Sequence, residues 1–82
     1  MHFTVYILQS ELTDQFYIGY TSNLIRRFFE HNTDQSRYTR NKGPWKLVYT
    51  EYFSSKSEAI KRERFLKAQR NREFYLRLIR GG

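Results

Sequence analysis

The 82-residue sequence has no cysteine, only two histidines, one proline and four glycines. Without cysteine there is no disulfide, no thiolate nucleophile and no cysteine-based zinc site. His2 and His31 cannot build a histidine-rich site on their own, so any metal must be held mainly by oxygen. No apolar run approaches the roughly 20 residues of a membrane span. Residues 1–9 lack the charged start, apolar middle and small-residue cleavage site of a signal peptide. These absences lead to the expectation of a cytoplasmic protein with no membrane partner. The length leaves room for one small domain, expected over residues 1–80, with residues 81–82 as an unstructured end.

What is present is aromatic and basic. Apolar residues make up 39% and aromatic residues 18%, too many large rings for a disordered tail. Fifteen Lys and Arg against eight Asp and Glu give a net charge of +7, the footprint of a chain that meets a polyanion. Residues 56–82 carry nine of the basic and three of the acidic side chains, a net +6, so the C-terminal part is the electrostatic part. A second basic cluster, Arg26, Arg27, Arg37, Arg40, Lys42 and Lys46, is interleaved with Tyr38 and Trp45, and rings beside guanidinium groups suit contacts to sugar, base and phosphate. Solvated helix faces and ordinary RNA binders share this pattern.

Two β-branched and aromatic runs, residues 3–8 and 16–20, are separated by a polar stretch and read as a hairpin. Thr21, Ser22 and Asn23 offer N-caps for a helix over 24–32. A polar, basic loop then leads through Lys42-Gly43-Pro44 to a third strand over 45–53. Ser55 and Glu58 match a capping box that opens a helix to about Gln69, and Asn71 interrupts it before a short helix over 72–79. The order β-β-α-β-α-α implies an α+β fold, a three-stranded antiparallel sheet flanked by helices.

Three features do not suit a sequence concerned with folding alone. In the second helix Ala59, Ile60 and Leu66 share an arc with Glu63 near its middle, so a carboxylate is aimed at the core side. Such a carboxylate must be protonated, paired with a cation or bound to a metal. A structural pair with an arginine and a hard cation such as Mg²⁺ both satisfy it. On the first helix Leu24, Ile25, Phe28 and Phe29 form the expected apolar arc, with Arg27 and His31 on its flank. That pair could hold neighbouring oxygens of one phosphate, or be a surface pair beside Glu30. Tyr6 and Tyr17 sit mid-strand and can share a face, as packing residues or otherwise. Gly19 weakens its strand unless a ligand or backbone comes close.

Taken in order, Val5-Tyr6-Ile7, Tyr17-Ile18-Gly19, Leu24-x-x-Arg27-x-x-x-His31 and Glu63 resemble the GIY-YIG nuclease domain over residues 3–79. The likeness is greatest to its small standalone members, which have close counterparts of residues 36–40 and 42–49. Val5 stands where the founding motif has glycine, and Asn71 is the nearest counterpart of an asparagine that follows the metal glutamate in some members. The resemblance implies hydrolysis of a phosphodiester with one divalent ion, Mg²⁺ or Mn²⁺, by in-line attack of water. It implies Tyr6 as general base or water-orienting group, Tyr17 as holder of the water and phosphate, and Arg27 as stabiliser of developing charge. His31 would support the nucleophile or the tyrosine, and Glu63 would be the metal ligand. Nucleic-acid contacts are expected from Arg26, Arg37, Tyr38, Arg40, Lys42, Lys67 and Arg70. With no added recognition module, a monomer or weak homodimer would read DNA structure rather than sequence, in repair or recombination, or rely on a protein partner for specificity. The alternatives are a nucleic-acid-binding module that keeps the fold without the chemistry, and a plain RNA-binding or ribosome-associated protein.

Overall fold

A computed structural model describes residues 2–81. The elements are β1 (Phe3–Ser10), β2 (Phe16–Thr21), α1 (Leu24–Asn32), β3 (Trp45–Phe53), α2 (Lys56–Gln69) and α3 (Arg72–Ile79). This is the expected α+β order, with β1 and β2 slightly longer than the sequence suggests. The sheet is antiparallel in the order β2-β1-β3. β1 is therefore central, and its run Val5-Tyr6-Ile7-Leu8 is buried on both faces, which is why it reads as continuously apolar rather than alternating.

The two faces serve different ends. Val5, Ile7 and Ile18 point to one side and pack with Ala59, Leu66 and Tyr75 of α2 and α3. Tyr6 and Leu8 point to the other, where Trp45, Tyr17, Leu24 and Phe28 close over them. A register shift between Ile7 and Leu8 along the β3 pairing lets the adjacent residues Val48 and Tyr49 both join the first cluster.

Local chemistry ends the helices as the sequence indicates. Asn23, Ser55 and Asn71 are the N-caps, their side chains accepting the amide N–H of Arg26, Glu58 and Phe74. Asn71 is thus occupied as a cap by its own helix, and its match to the family asparagine has no support from its position. Gly81 lies in a turn after α3, its N–H donating to Leu78 O at 3.1 Å; residue 82 lies outside the described residues.

One helix face differs from expectation. Leu24 and Phe28 pack inward, but Ile25 is 85% and Phe29 59% exposed, while His31 is fully buried. The sheet beneath α1 offers a hydroxyl and an indole rather than an all-apolar surface, so the polar imidazole goes in. The loop that follows is held rather than loose. Ser10 Oγ donates to Lys42 O at 2.6 Å, Trp45 Nε1 donates to Thr39 O at 3.1 Å, and Asn32 clamps the Trp45 backbone from both sides.

Candidate active site

The β1–β2 register places Tyr6 opposite Gly19 and Leu8 opposite Tyr17, so all four share one face. A Cβ on Gly19 would fall 2.6 Å from Tyr6 Oη and 2.8 Å from its Cζ. The close approach expected at Gly19 is therefore made by the Tyr6 phenol, not by a ligand or backbone. The Tyr6 and Tyr17 rings lie 6.3 Å apart, and the His31 ring stands 4.8 Å from Tyr17.

His31 fixes the Tyr6 hydroxyl. Its Nε2 is 2.9 Å from Tyr6 Oη and its Nδ1 is 2.8 Å from Thr39 Oγ1. With both nitrogens engaged inside the protein, His31 presents none to a phosphate oxygen beside Arg27; of the two alternatives for this pair, the neighbouring Glu30 is the partner that Arg27 has here. Thr39 and its neighbour Ser36, both buried, are part of the site that the sequence did not disclose. The only signal is that both fall in the 36–40 segment likened to the small standalone members, which assigns neither a role.

Burial and then the Arg27 cation hold the His31 imidazole down to about 4, so it is neutral near pH 7. The folded protein then resists a proton that the unfolded chain accepts below its ordinary 6.5. This contribution to stability is complete above the unfolded value and is lost as the pH falls towards the folded one, roughly 3 kcal/mol in all. Urea melts of the wild type and His31→Gln at neutral and acid pH check this. The wild type should lose roughly 2–3 kcal/mol more than the variant on acidification, and equal losses would contradict it.

The Tyr6 phenol is pushed well above its ordinary value, mainly by burial, with Tyr17 and the Glu63 carboxylate acting in the same direction and Arg27 against them. Glu63 itself is carried by α2, which packs on the other face of the sheet from Tyr6 and Tyr17. β2 is an edge strand, and α2 lies against it. The phenolate is disfavoured here, so Tyr6 stands as a phenol at neutral pH. Burial also works against the Arg27 charge, but hydrogen bonding by Glu30 and the influence of both phenols more than restore it. Arg27 Nη1 is 2.9 Å from Glu30 Oε1 and its Nη2 is 3.5 Å from Ser36 Oγ.

Glu63 has 15% of its side chain exposed and pairs with Lys67 at 3.5 Å, one turn on, rather than with an arginine. The nearby Arg62 is taken by Glu51, whose carboxylate also accepts the Tyr49 hydroxyl. Of the other expected contact residues, Tyr38, Lys67 and Arg70 line a cleft of about 550 Å³ that shares Tyr17 with the cluster. Lys42 lies over the Tyr38 ring. Arg26 points outward beside Glu30 at 3.8 Å, and Arg37 and Arg40 are exposed on the loop.

A family model for the GIY-YIG catalytic domain matches residues 2–76. The chain belongs to the GIY-YIG family. Its similarity extends to a UPF0213 protein of Clostridium perfringens, 45% identical over 64 residues that span 77% of this chain and 68% of that one. A UPF0213 protein of Halobacterium salinarum is 46% identical over 64 residues, 77% of this chain and 82% of its own. The solution NMR structure of a UPF0213 protein of Bacillus halodurans superposes with a TM-score of 0.60 at 36% identity, covering 96% of this chain and 83% of that one. In this GIY-YIG domain the two family tripeptides face each other, the glycine of the second leaving room for the tyrosine of the first.

GIY-YIG domains are nucleases, which makes nucleic acid the substrate, and they generally use a divalent metal. Among the described residues no group of three or more His, Asp or Glu could enclose an ion. Glu63 fits the remaining possibility. It is one partly shielded carboxylate beside an open cleft, as suits a hard cation completed by water and phosphate oxygens. Among the described residues no helix is long and apolar enough to cross a membrane.

Proposed function

We propose that this domain is a divalent-metal-dependent endonuclease that hydrolyses phosphodiester bonds in DNA, directed by structure rather than by sequence. The observation that carries the reading is the environment of one oxygen. Tyr6 Oη sits 2.9 Å from His31 Nε2, on the sheet face it shares with Gly19 and with Tyr17, whose ring centroid is 6.3 Å from its own.

Because the phenol is held protonated, Tyr6 can take a proton from an attacking water only while passing its own to His31. With Nδ1–H donating to Thr39 Oγ1, Nε2 is free to accept the Tyr6 O–H, and the phenol oxygen is left to receive the water proton. Arg27 is one cause of the weak basicity of His31, so a phosphate seated on Arg27 cancels that influence and strengthens the acceptor when substrate is present. Arg27, with Nη1 paired to Glu30 and Nη2 only 3.5 Å from Ser36 Oγ, has N–H donors left to offer a non-bridging phosphate oxygen, and Tyr17 orients the water and the phosphate. The water oxygen bonds to phosphorus as the bond to the 3′ oxygen breaks, and the 3′ oxygen takes a proton from solvent, leaving 5′-phosphate and 3′-hydroxyl ends. A Mg²⁺ or Mn²⁺ ion at Glu63 would stabilise charge on the leaving oxygen. The basic surface of α2 and α3 and the exposed Arg26, Arg37 and Arg40 would hold the flanking backbone, with marked salt dependence.

The test is incubation with plasmid, branched and single-stranded DNA, with Mg²⁺ or Mn²⁺ and with EDTA. Cleavage that requires the ion and yields ligatable 5′-phosphate ends is expected. Cleavage of none of these substrates, with binding retained, would instead leave a nucleic-acid-binding module on this fold. Cleavage that persists unchanged in a Glu63→Ala preparation would mark a contaminant.

A further inference from the structure

We propose that the cleft beside the catalytic cluster is a stacking site for one unpaired nucleotide, so that the preferred substrate carries a single-stranded DNA segment next to the bond that is cut. The inference rests on the nuclease reading for its orientation, but its evidence lies in other residues.

The cleft, at about 550 Å³, falls within the roughly 300–1,000 Å³ of small-ligand pockets. Its outer wall is Tyr38, a 61% exposed ring on the loop after α1. The ring is braced rather than free. Its centroid is 5.5 Å from that of Tyr17, and Lys42 Nζ stands 4.5 Å from it. A held, largely exposed aromatic ring, with an ammonium over it that a phosphate or base could displace, suits a nucleobase, whose own face is available only when the base is not stacked in a duplex.

The cleft also contains Arg70, at a costly position. This C-cap of α2 has φ 45° and ψ 39°, the left-handed region where glycine is favoured. The conformation is built in, since Tyr75 Oη accepts the Arg70 N–H at 3.2 Å and donates to Leu66 O at 2.6 Å. A long cation stands where the backbone alone would prefer no side chain, as is typical of strain kept for a function. Lys67, on the same wall, touches Glu63, and Tyr17 belongs to both the cleft and the cluster. A nucleotide stacked on Tyr38 with its phosphate on Arg70 and Lys67 is therefore the immediate neighbour of the phosphate at Tyr6 and Arg27. Flaps, gaps, strand ends and free single strands supply such a nucleotide, whereas a blunt, fully paired duplex does not.

Fluorescence anisotropy in EDTA measures binding without cleavage. The probe is a short labelled DNA strand, alone or annealed into a blunt duplex. The single strand should bind about 10-fold or more tightly than the duplex, and Tyr38→Ala should remove most of that preference, because stacking on one ring contributes on this scale. Tyr38→Phe should retain it. Arg70→Gly should melt at an equal or higher temperature and yet bind the strand less tightly, with a salt dependence shallower by about one phosphate contact. Equal affinity for strand and duplex, or a Tyr38→Ala variant with wild-type preference, overturns the proposal. A strand preference that depends on Tyr38 in a protein that cuts nothing with Mg²⁺ or Mn²⁺ would refute the nuclease reading and leave the stacking site standing. Cleavage without that preference would do the reverse.

Discussion

Replacing Glu63 with glutamine should lower the rate of DNA cleavage by about 10³-fold while leaving the fold intact. The size of the loss follows from what a metal supplies to a phosphoryl transition state, several kcal/mol of charge stabilisation at roughly 1.4 kcal/mol per tenfold. The fold should be indifferent because the partner of Glu63 is a half-exposed lysine at 3.5 Å, and such a pair contributes only about 0.3–0.5 kcal/mol. Without metal, the variant should bind DNA as tightly as the wild type or slightly more so, since Lys67, which lines the cleft, loses its paired negative charge. Single-turnover cleavage, thermal melts and anisotropy separate these effects. A Glu63→Gln protein that melts normally and cuts at the wild-type rate would remove the metal ligand from the account.

Gly19→Ala should be nearly as damaging to activity, and for a steric reason. The new methyl would stand 2.6 Å from Tyr6 Oη, 2.8 Å from Tyr6 Cζ and 3.2 Å from Tyr17 Cε2. A flexible surface side chain would swing away, but Tyr6 is 1% exposed and its hydroxyl is held by His31. Displacing the phenol by about 1 Å breaks the proton path and should lower the rate by about 10²-fold. Two stability effects compete. Removing a strand glycine favours folding by about 0.5–1 kcal/mol, while overpacking a filled core opposes it by about 1–3 kcal/mol, so a net loss is expected. Chemical denaturation and cleavage assays on the same preparation read both. An alanine variant with raised stability and full activity would show that the phenol does not need this gap.

The elements were legible because their signals are local. The caps Asn23, Ser55 and Asn71 act on amides three residues away, and β1 reads as an apolar run because it is the central strand. Glu63 stood out as a carboxylate among apolar helix positions, and it does lie on the shielded side of α2. What escaped depends on contacts between distant segments. Helical periodicity put Ile25 and Phe29 in the core and His31 on a flank, whereas the structure exposes both apolar side chains and buries the imidazole. Only the position of Tyr6 Oη and Thr39 Oγ1, one from β1 and one from a loop, explains that exchange. The hairpin register was likewise invisible, since the seven residues between the runs do not set it, and with it went the meaning of Gly19. The ionisation of Tyr6 is likewise set by contacts between distant segments, since burial under α1 outweighs the Arg27 cation.

Glu63 and the two phenols are carried on opposite sides of the sheet, and the proposed reaction requires that they meet at one common space around its edge. Paramagnetic broadening by Mn²⁺ in the ¹⁵N spectrum of the whole chain tests it most directly. The account predicts that substoichiometric Mn²⁺ broadens the amides of Tyr6, Tyr17, Gly19 and Glu63 together, and that Glu63→Gln abolishes the effect. Broadening centred on other carboxylates, such as Glu58 or Glu73, or a pattern at Tyr6 and Gly19 that survives Glu63→Gln, would contradict it.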